Sequence, residues 1–212
     1  MAGEPTDPAA EHLRSSQPRE PVGEADVVAL ARCHRLCLPE TASSRAGLSV
    51  LEGLYRALIR DRDAEVVWRP GDGAEPHLGA FAAGTVALRE TELAVRRSLS
   101  AVDFARLALR VAAMPMHVLA RRRWEQVIPS AGIGYVLTLG SAAAVTGHGR
   151  GARGRDVLAD LEAWFVARGA RESWVDTEQS NGRAIEFYRR GGYVEVSRDY
   201  GQVLLKKPLP SG

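Results

Sequence analysis

Leu48, Leu51, Leu54, Tyr55 and Leu58 recur at the three- and four-residue spacing of one helix face, so the chain is predicted to be helical from Ser44 to Arg60. A preceding amphipathic helix is predicted from Asp26 to Leu38, stopped by Pro39. Glu65 to Arg69 and His77 to Val86 read as two antiparallel strands around the turn-rich segment Pro70 to Pro76. From Val86 to Gly134 the pattern gives two or three helices divided at Pro115, with Leu93, Leu99, Phe104, Leu107, Val111 and Val118 as core candidates. Then follow a strand from Gly134 to Leu139, a loop from Gly140 to Gly154, a helix from Arg155 to Arg168 ended by Gly169, and a strand from Glu172 to Thr177. Tyr193 to Arg198 and Tyr200 to Lys206 close the chain as a hairpin. This alternation of elements predicts an α/β chain.

Between the last strands lies the most informative stretch, Asn181 to Tyr193. Asn181, the only asparagine in the chain, is of N-cap type, and Ala184, Ile185, Phe187 and Tyr188 fall on adjoining helix faces. Gly191 and Gly192 supply a left-handed exit before Tyr193.

At these residues the sequence resembles the Gcn5-related N-acetyltransferase superfamily. Its last conserved block runs Asn, two variable residues, Ala-Ile, one variable residue, Phe-Tyr, three variable residues, Gly-Phe/Tyr. Asn181, Ala184, Ile185, Phe187, Tyr188, Gly192 and Tyr193 match it. About thirty residues earlier, Gly149, Arg150, Gly151, Ala152, Arg153 and Gly154 stand where the superfamily has a glycine-rich loop between strand and helix. This loop departs from the family pattern, with Gly149 in place of Gln or Arg and Ala152 in place of the first Gly. The resemblance is strongest from Gly134 to Leu205 and weaker from Pro21 to Val86. It implies a splayed, mostly antiparallel mixed sheet with helices on both faces. It also implies a short first strand near Val22 and a helical insertion at about residues 87–133.

Composition narrows the class. With 28 basic and 26 acidic residues the net charge is +2, and 45% of positions are apolar, as in ordinary globular chains. The basic residues are nearly all arginine, which with the many Ala and Gly points to a GC-rich bacterial genome. No basic stretch interleaved with aromatics argues for nucleic acid as a partner, and no apolar run is long enough for a membrane span. Residues 1–20, rich in proline and poor in apolar side chains, are expected to be a disordered tail ahead of one domain spanning 21–212. No segment of signal-peptide type is found, and a cytoplasmic location suits the chemistry below. Cys33 and Cys37 share a helix face and read as buried small hydrophobes, with no metal site expected there. The arginines of the 86–134 segment, including Arg121, Arg122 and Arg123, read as a solvated helix face, or alternatively as steering for an acidic substrate or a protein contact surface. A homodimer is an open possibility.

Candidate chemistry follows from the resemblance and from the residue types. A loop leading into a helix start offers converging N–H groups and a positive dipole to the pyrophosphate of acetyl-coenzyme A. Gly149, Gly151 and Gly154 would let the backbone approach, Ala152 belongs to the same cofactor-binding loop, and Arg150, Arg153 and Arg155 would add charge-assisted contacts. The resemblance implies that Leu139 and Ser141 offer main-chain partners to the amide-rich arm of the cofactor, with Asn181 a further polar contact, and that Tyr188 is the general acid. Asp176 stands twelve positions before Tyr188, a spacing similar to that of bacterial acetyltransferases acting on ribosomal-protein N-termini, where a glutamate is the base. Here Asp176 is expected either to reach the amine through water or to hydrogen-bond the neighbouring loop, with Glu178 the alternative carboxylate. His148 is left without a role, and the acceptor is expected to be a primary amine, of a small molecule in preference to a peptide.

Overall fold

The computed structural model describes residues 22–71, 79–146 and 154–210. The expected tail at residues 1–20 lies outside this range, as do His77, His148 and five residues of the glycine-rich loop, Gly149, Arg150, Gly151, Ala152 and Arg153. No helix among the described residues is long and apolar enough to cross a membrane.

Six strands form one sheet in the order β1-β2-β3-β4-β6-β5: β1 (Ala64–Arg69), β2 (Ala80–Thr85), β3 (Ile133–Ser141), β4 (Glu172–Glu178), β5 (Val194–Asp199) and β6 (Gln202–Pro208). All neighbours are antiparallel except β3 and β4. The expected strand near Val22 is not formed by the described residues. Gly23 instead caps helix α1 (Glu24–Cys37), and its N–H donates to the Asp26 carboxylate at 2.8 Å, which commits this stretch to a helix start.

The helix expected from Ser44 to Arg60 is two helices, α2 (Ala42–Ala46) and α3 (Leu48–Arg60). Gly47 between them has φ +120°, outside helical space, and Thr41 caps α2 by accepting from the Ser44 N–H. Three helices, α4 (Leu88–Ser98), α5 (Ala101–Ala112) and α6 (Pro115–Trp124), join β2 to β3, and Pro115 opens the third, where its missing N–H costs nothing. Leu99 is buried as expected, but Leu93 and Phe104 are 47% and 42% exposed and Val111 is exposed too. Helix α5 buries no residue at all, so its apolar periodicity does not report a core face.

Strand alternation sorts the core into two layers. Ala80 and Ala82 of β2 join Val136, Val175, Val203 and Leu205 under α8 (Gly154–Ala167) and α9 (Gly182–Arg190). Phe81 and Ala83 turn to the other face, beneath α1 and α3, and Tyr135, Trp174 and Leu204 continue that face beneath α6. Short α7 (Ala142–Thr146) follows β3. The closing hairpin turns through Tyr200 and Gly201, both at positive φ, as a two-residue loop requires.

Under α1, His34 is buried, with Nδ1 2.7 Å from the Tyr55 hydroxyl and its ring stacked on Phe81 at 5.3 Å. Burial pulls its pKa down from 6.5 to about 4. The folded protein therefore keeps His34 neutral at pH values where the unfolded chain binds a proton, and stability falls as pH drops from 6.5 towards 4. The loss should approach ~3 kcal/mol, measured by urea unfolding across that range. His34→Gln should remove this part of the pH dependence; a wild-type curve flat between those values would refute it.

Candidate active site

The parallel pair β3–β4 is joined only from Ile133↔Glu172 to Val136↔Val175. Beyond it both strands continue, β3 to Ser141 and β4 to Glu178, without pairing to each other. The cause is local. Opposite β2, Thr138 pairs with Ala83 and Val136 with Gly84, so Leu137 is an extra residue, a β-bulge that bends β3 away from β4. The result is a cleft in the middle of the sheet, where β3 and β4 no longer pair with each other.

Several of the expected site residues that the structure describes lie on the elements that border this cleft. The start of α8 lies against the end of β3: a β-carbon at Gly154 would stand 3.5 Å from Leu139 and 3.8 Å from both Ser141 and Phe187. Arg155 is exposed on the first turn of the same helix. Asn181 caps α9 by accepting from the Ala184 N–H at 3.0 Å, a bond typically worth ~1 kcal/mol. Arg183 in the first turn donates to the Ala144 carbonyl at 2.8 Å and so ties α9 to the segment that follows β3. At the far end Gly192, at φ +89°, supplies the left-handed exit, whereas Gly191 does not.

Tyr188 is buried, its ring packed edge-on against Phe187 and Tyr193, each 5.2 Å away. Its hydroxyl has no hydrogen-bond partner among the described residues, in contrast to Tyr193, which is joined to Ser173 at 2.6 Å and Glu162 at 2.8 Å. Burial, and then the charges of Asp176 and Glu162, hold the Tyr188 phenol above its ordinary pKa of 10. It is thus protonated at neutral pH, with a proton to give and no acceptor for it among the described residues.

Asp176 enters from the opposite face of the sheet and is less free than the sequence suggests. The Tyr135 hydroxyl donates to its Oδ1 at 2.5 Å, and Arg121 Nη1 lies 3.8 Å from the same oxygen. Nη1 also donates to the Tyr135 oxygen at 3.2 Å, and the guanidinium lies over the Tyr135 ring at 5.0 Å. The other arm, Nη2, donates to Glu92 at 2.5 Å. Burial, then the Asp176 charge, pushes the Tyr135 phenol well above 10, which keeps it a donor. Nothing in the sequence singles out Tyr135 or Glu92, and by sequence Arg121 is only one of three solvated arginines. Arg122 and Arg123 are indeed exposed, but Arg121 is turned inward. Glu178, the alternative carboxylate, is exposed and accepts from the Ser180 hydroxyl at 3.3 Å. Beside the bulge, on the Asp176 face, the Thr138 hydroxyl is buried with no partner among the described residues. Such an orphan normally finds a partner in a ligand or a water.

No protein-family model matches the sequence, and no curated protein does. Solved structures do match in three dimensions. An acetyltransferase from Thermus thermophilus shares 16% identity at a TM-score of 0.53, over 89% of this chain and 94% of that one. A putative acetyltransferase of the GNAT family from Desulfovibrio desulfuricans shares 13% at 0.54, over 90% and 96%. The ribosomal-protein-S18-alanine N-acetyltransferase from Escherichia coli shares 13% at 0.52, over 91% and 94%. Identities this low speak for the fold alone, and the chain has the fold of the Gcn5-related N-acetyltransferase superfamily.

Proposed function

We propose that the protein is an N-acetyltransferase that moves an acetyl group from acetyl-coenzyme A to a primary amine. The observation that carries this reading is the bulge-opened cleft between β3 and β4, with Tyr188 on one side and Asp176 on the other. The cleft suits the donor. Its strand edge at Leu139, which β4 does not cover, can pair with an amide-rich arm as an added strand would, and the Thr138 hydroxyl, without a partner among the described residues, supplies another polar contact. Gly154, Arg155 and the helix start behind them would hold the phosphates, and Asn181 would contact the arm. The glycine-rich segment Gly149 to Arg153 would complete that cradle.

In this reading the amine nitrogen forms a bond to the acyl carbon as the carbon–sulfur bond breaks. Tyr188 delivers its proton to the departing sulfur. Asp176 accepts the proton that the amine loses, through a water that makes up for its short side chain. Main-chain N–H groups at the bulge would stabilise charge growing on the carbonyl oxygen. No covalent enzyme intermediate is needed, because the two reactants are held side by side.

The acceptor is proposed to be a small cationic amine. Glu92 and Asp176 set two carboxylates against the single guanidinium of Arg121, a surplus of negative charge that favours an ammonium-bearing molecule. Helices α4 and α6 bring Glu92 and Arg121 to Tyr135 and Asp176 on that side of the sheet. A panel of amines with acetyl-coenzyme A, read by free thiol release and product mass, tests the proposal. At least one small primary amine should be acetylated. Binding of coenzyme A without acetylation of any amine or peptide N-terminus would favour a non-catalytic acyl-coenzyme A sensor instead.

A further inference from the structure

Arg121 is 23% exposed at its side chain, and its two arms are divided between partners on different elements. Nη2 meets Glu92 of α4, while Nη1 meets the Tyr135 hydroxyl of β3 and approaches Asp176 of β4. Burial works against its charge, yet Tyr135, Glu92 and Asp176 together outweigh that and hold the guanidinium firmly protonated. Both contacts to Asp176 fall on Oδ1, and Oδ2 takes no protein partner among the described residues. Only a planar fork reaches all three partners at once.

We propose that Arg121 is a positioning residue for acyl transfer, seated in the three-helix segment and fixing the Asp176 carboxylate so that Oδ2 is the oxygen turned toward the water that relays the amine's proton. The inference rests on the acetyltransferase reading above and adds to it a part for the segment between β2 and β3. Glu92 is the anchor of this arrangement. It holds the far arm of Arg121, so that the placing of α4 and α6 on the sheet is transmitted to the carboxylate at the cleft. Tyr135 is the second strut, donating to the same oxygen and leaving Oδ2 open.

The test uses the full-length protein and the best amine found in the panel. Arg121→Met should lower kcat by about tenfold to a hundredfold, the scale on which small misplacements of a catalytic group act. The KM for acetyl-coenzyme A and the affinity for coenzyme A should stay within about twofold, because the clamp touches neither. Arg121→Lys should recover part of the loss, and Glu92→Gln should fall between wild type and Arg121→Met. Unchanged kcat in Arg121→Met overturns the inference, and so does a rise confined to the acceptor KM, which would make Arg121 a substrate-binding group. If Arg121→Met does not fold, as judged by circular dichroism, the Lys and Gln variants decide, and full turnover in both overturns it. A wild-type protein that acetylates no amine sinks the acetyltransferase reading and this inference together. An active wild type with an indifferent Arg121 sinks the inference alone.

Discussion

Tyr188→Phe should lower turnover by roughly 10²-fold or more, within the ~10²–10⁴ usually attributed to a positioned acid or base, while leaving coenzyme A affinity unchanged. The substitution keeps the ring and its edge contacts with Phe187 and Tyr193, and the lost hydroxyl has no hydrogen-bond partner among the described residues. Folding should therefore be little affected, and any fall in rate reports the missing proton. Tyr193→Phe, on the same α9 exit, is the control. It removes bonds to Ser173 and Glu162 and should lower stability by about 1–3 kcal/mol with little effect on turnover of the folded protein. Initial rates with a confirmed amine, calorimetric titration of coenzyme A and thermal unfolding distinguish the pair. If both tyrosine variants retain full turnover, Tyr188 is a packing residue and the acid lies elsewhere.

Gly134→Val should be the most damaging change to the fold. Even the first carbon of a side chain at Gly134 would fall 2.1–2.5 Å from three atoms of the Phe165 ring, and Phe165 is fully buried in α8. Gly84 on β2 faces the same ring, so the phenyl group lies in a slot that two glycines leave open across adjacent strands. Relief would require α8 to lift from the sheet or Phe165 to leave its place. We expect a loss of about 3 kcal/mol or more, at the upper end of overpacking penalties. Urea unfolding would measure it. A loss below about 1 kcal/mol would mean that α8 shifts freely, and the start of that helix would then be a poor place to hold a phosphate. Because that first carbon is all that alanine adds, Gly134→Ala should show much of the same effect.

The Asn181 to Tyr193 block that carries Tyr188 is readable in the sequence because each of its signals is local. A capping side chain, two adjoining helix faces and a glycine at positive φ act within one turn, and the helix formed where these predict. The strands after Gly134 are readable for the same reason. In the 86–134 segment only part of the expected core holds, with Leu99 buried but Phe104 and Val111 exposed on α5, because periodicity reports an amphipathic helix whether or not its apolar side is fully covered. The strand near Val22, expected from family resemblance, gives way to a helix cap.

What the sequence determined by itself, then, was the kind of most elements, while the mixed sheet and the candidacy of Tyr188 and Asp176 came with the family resemblance. Only the tertiary structure decided the surroundings of Asp176. Tyr135 is 41 positions away along the chain and Glu92 reaches it only through Arg121, and no local pattern links residues so far apart. The opening of the cleft was likewise decided in three dimensions, since a bulge at Leu137 is a relation between β3 and β2 and has no signature in either strand alone.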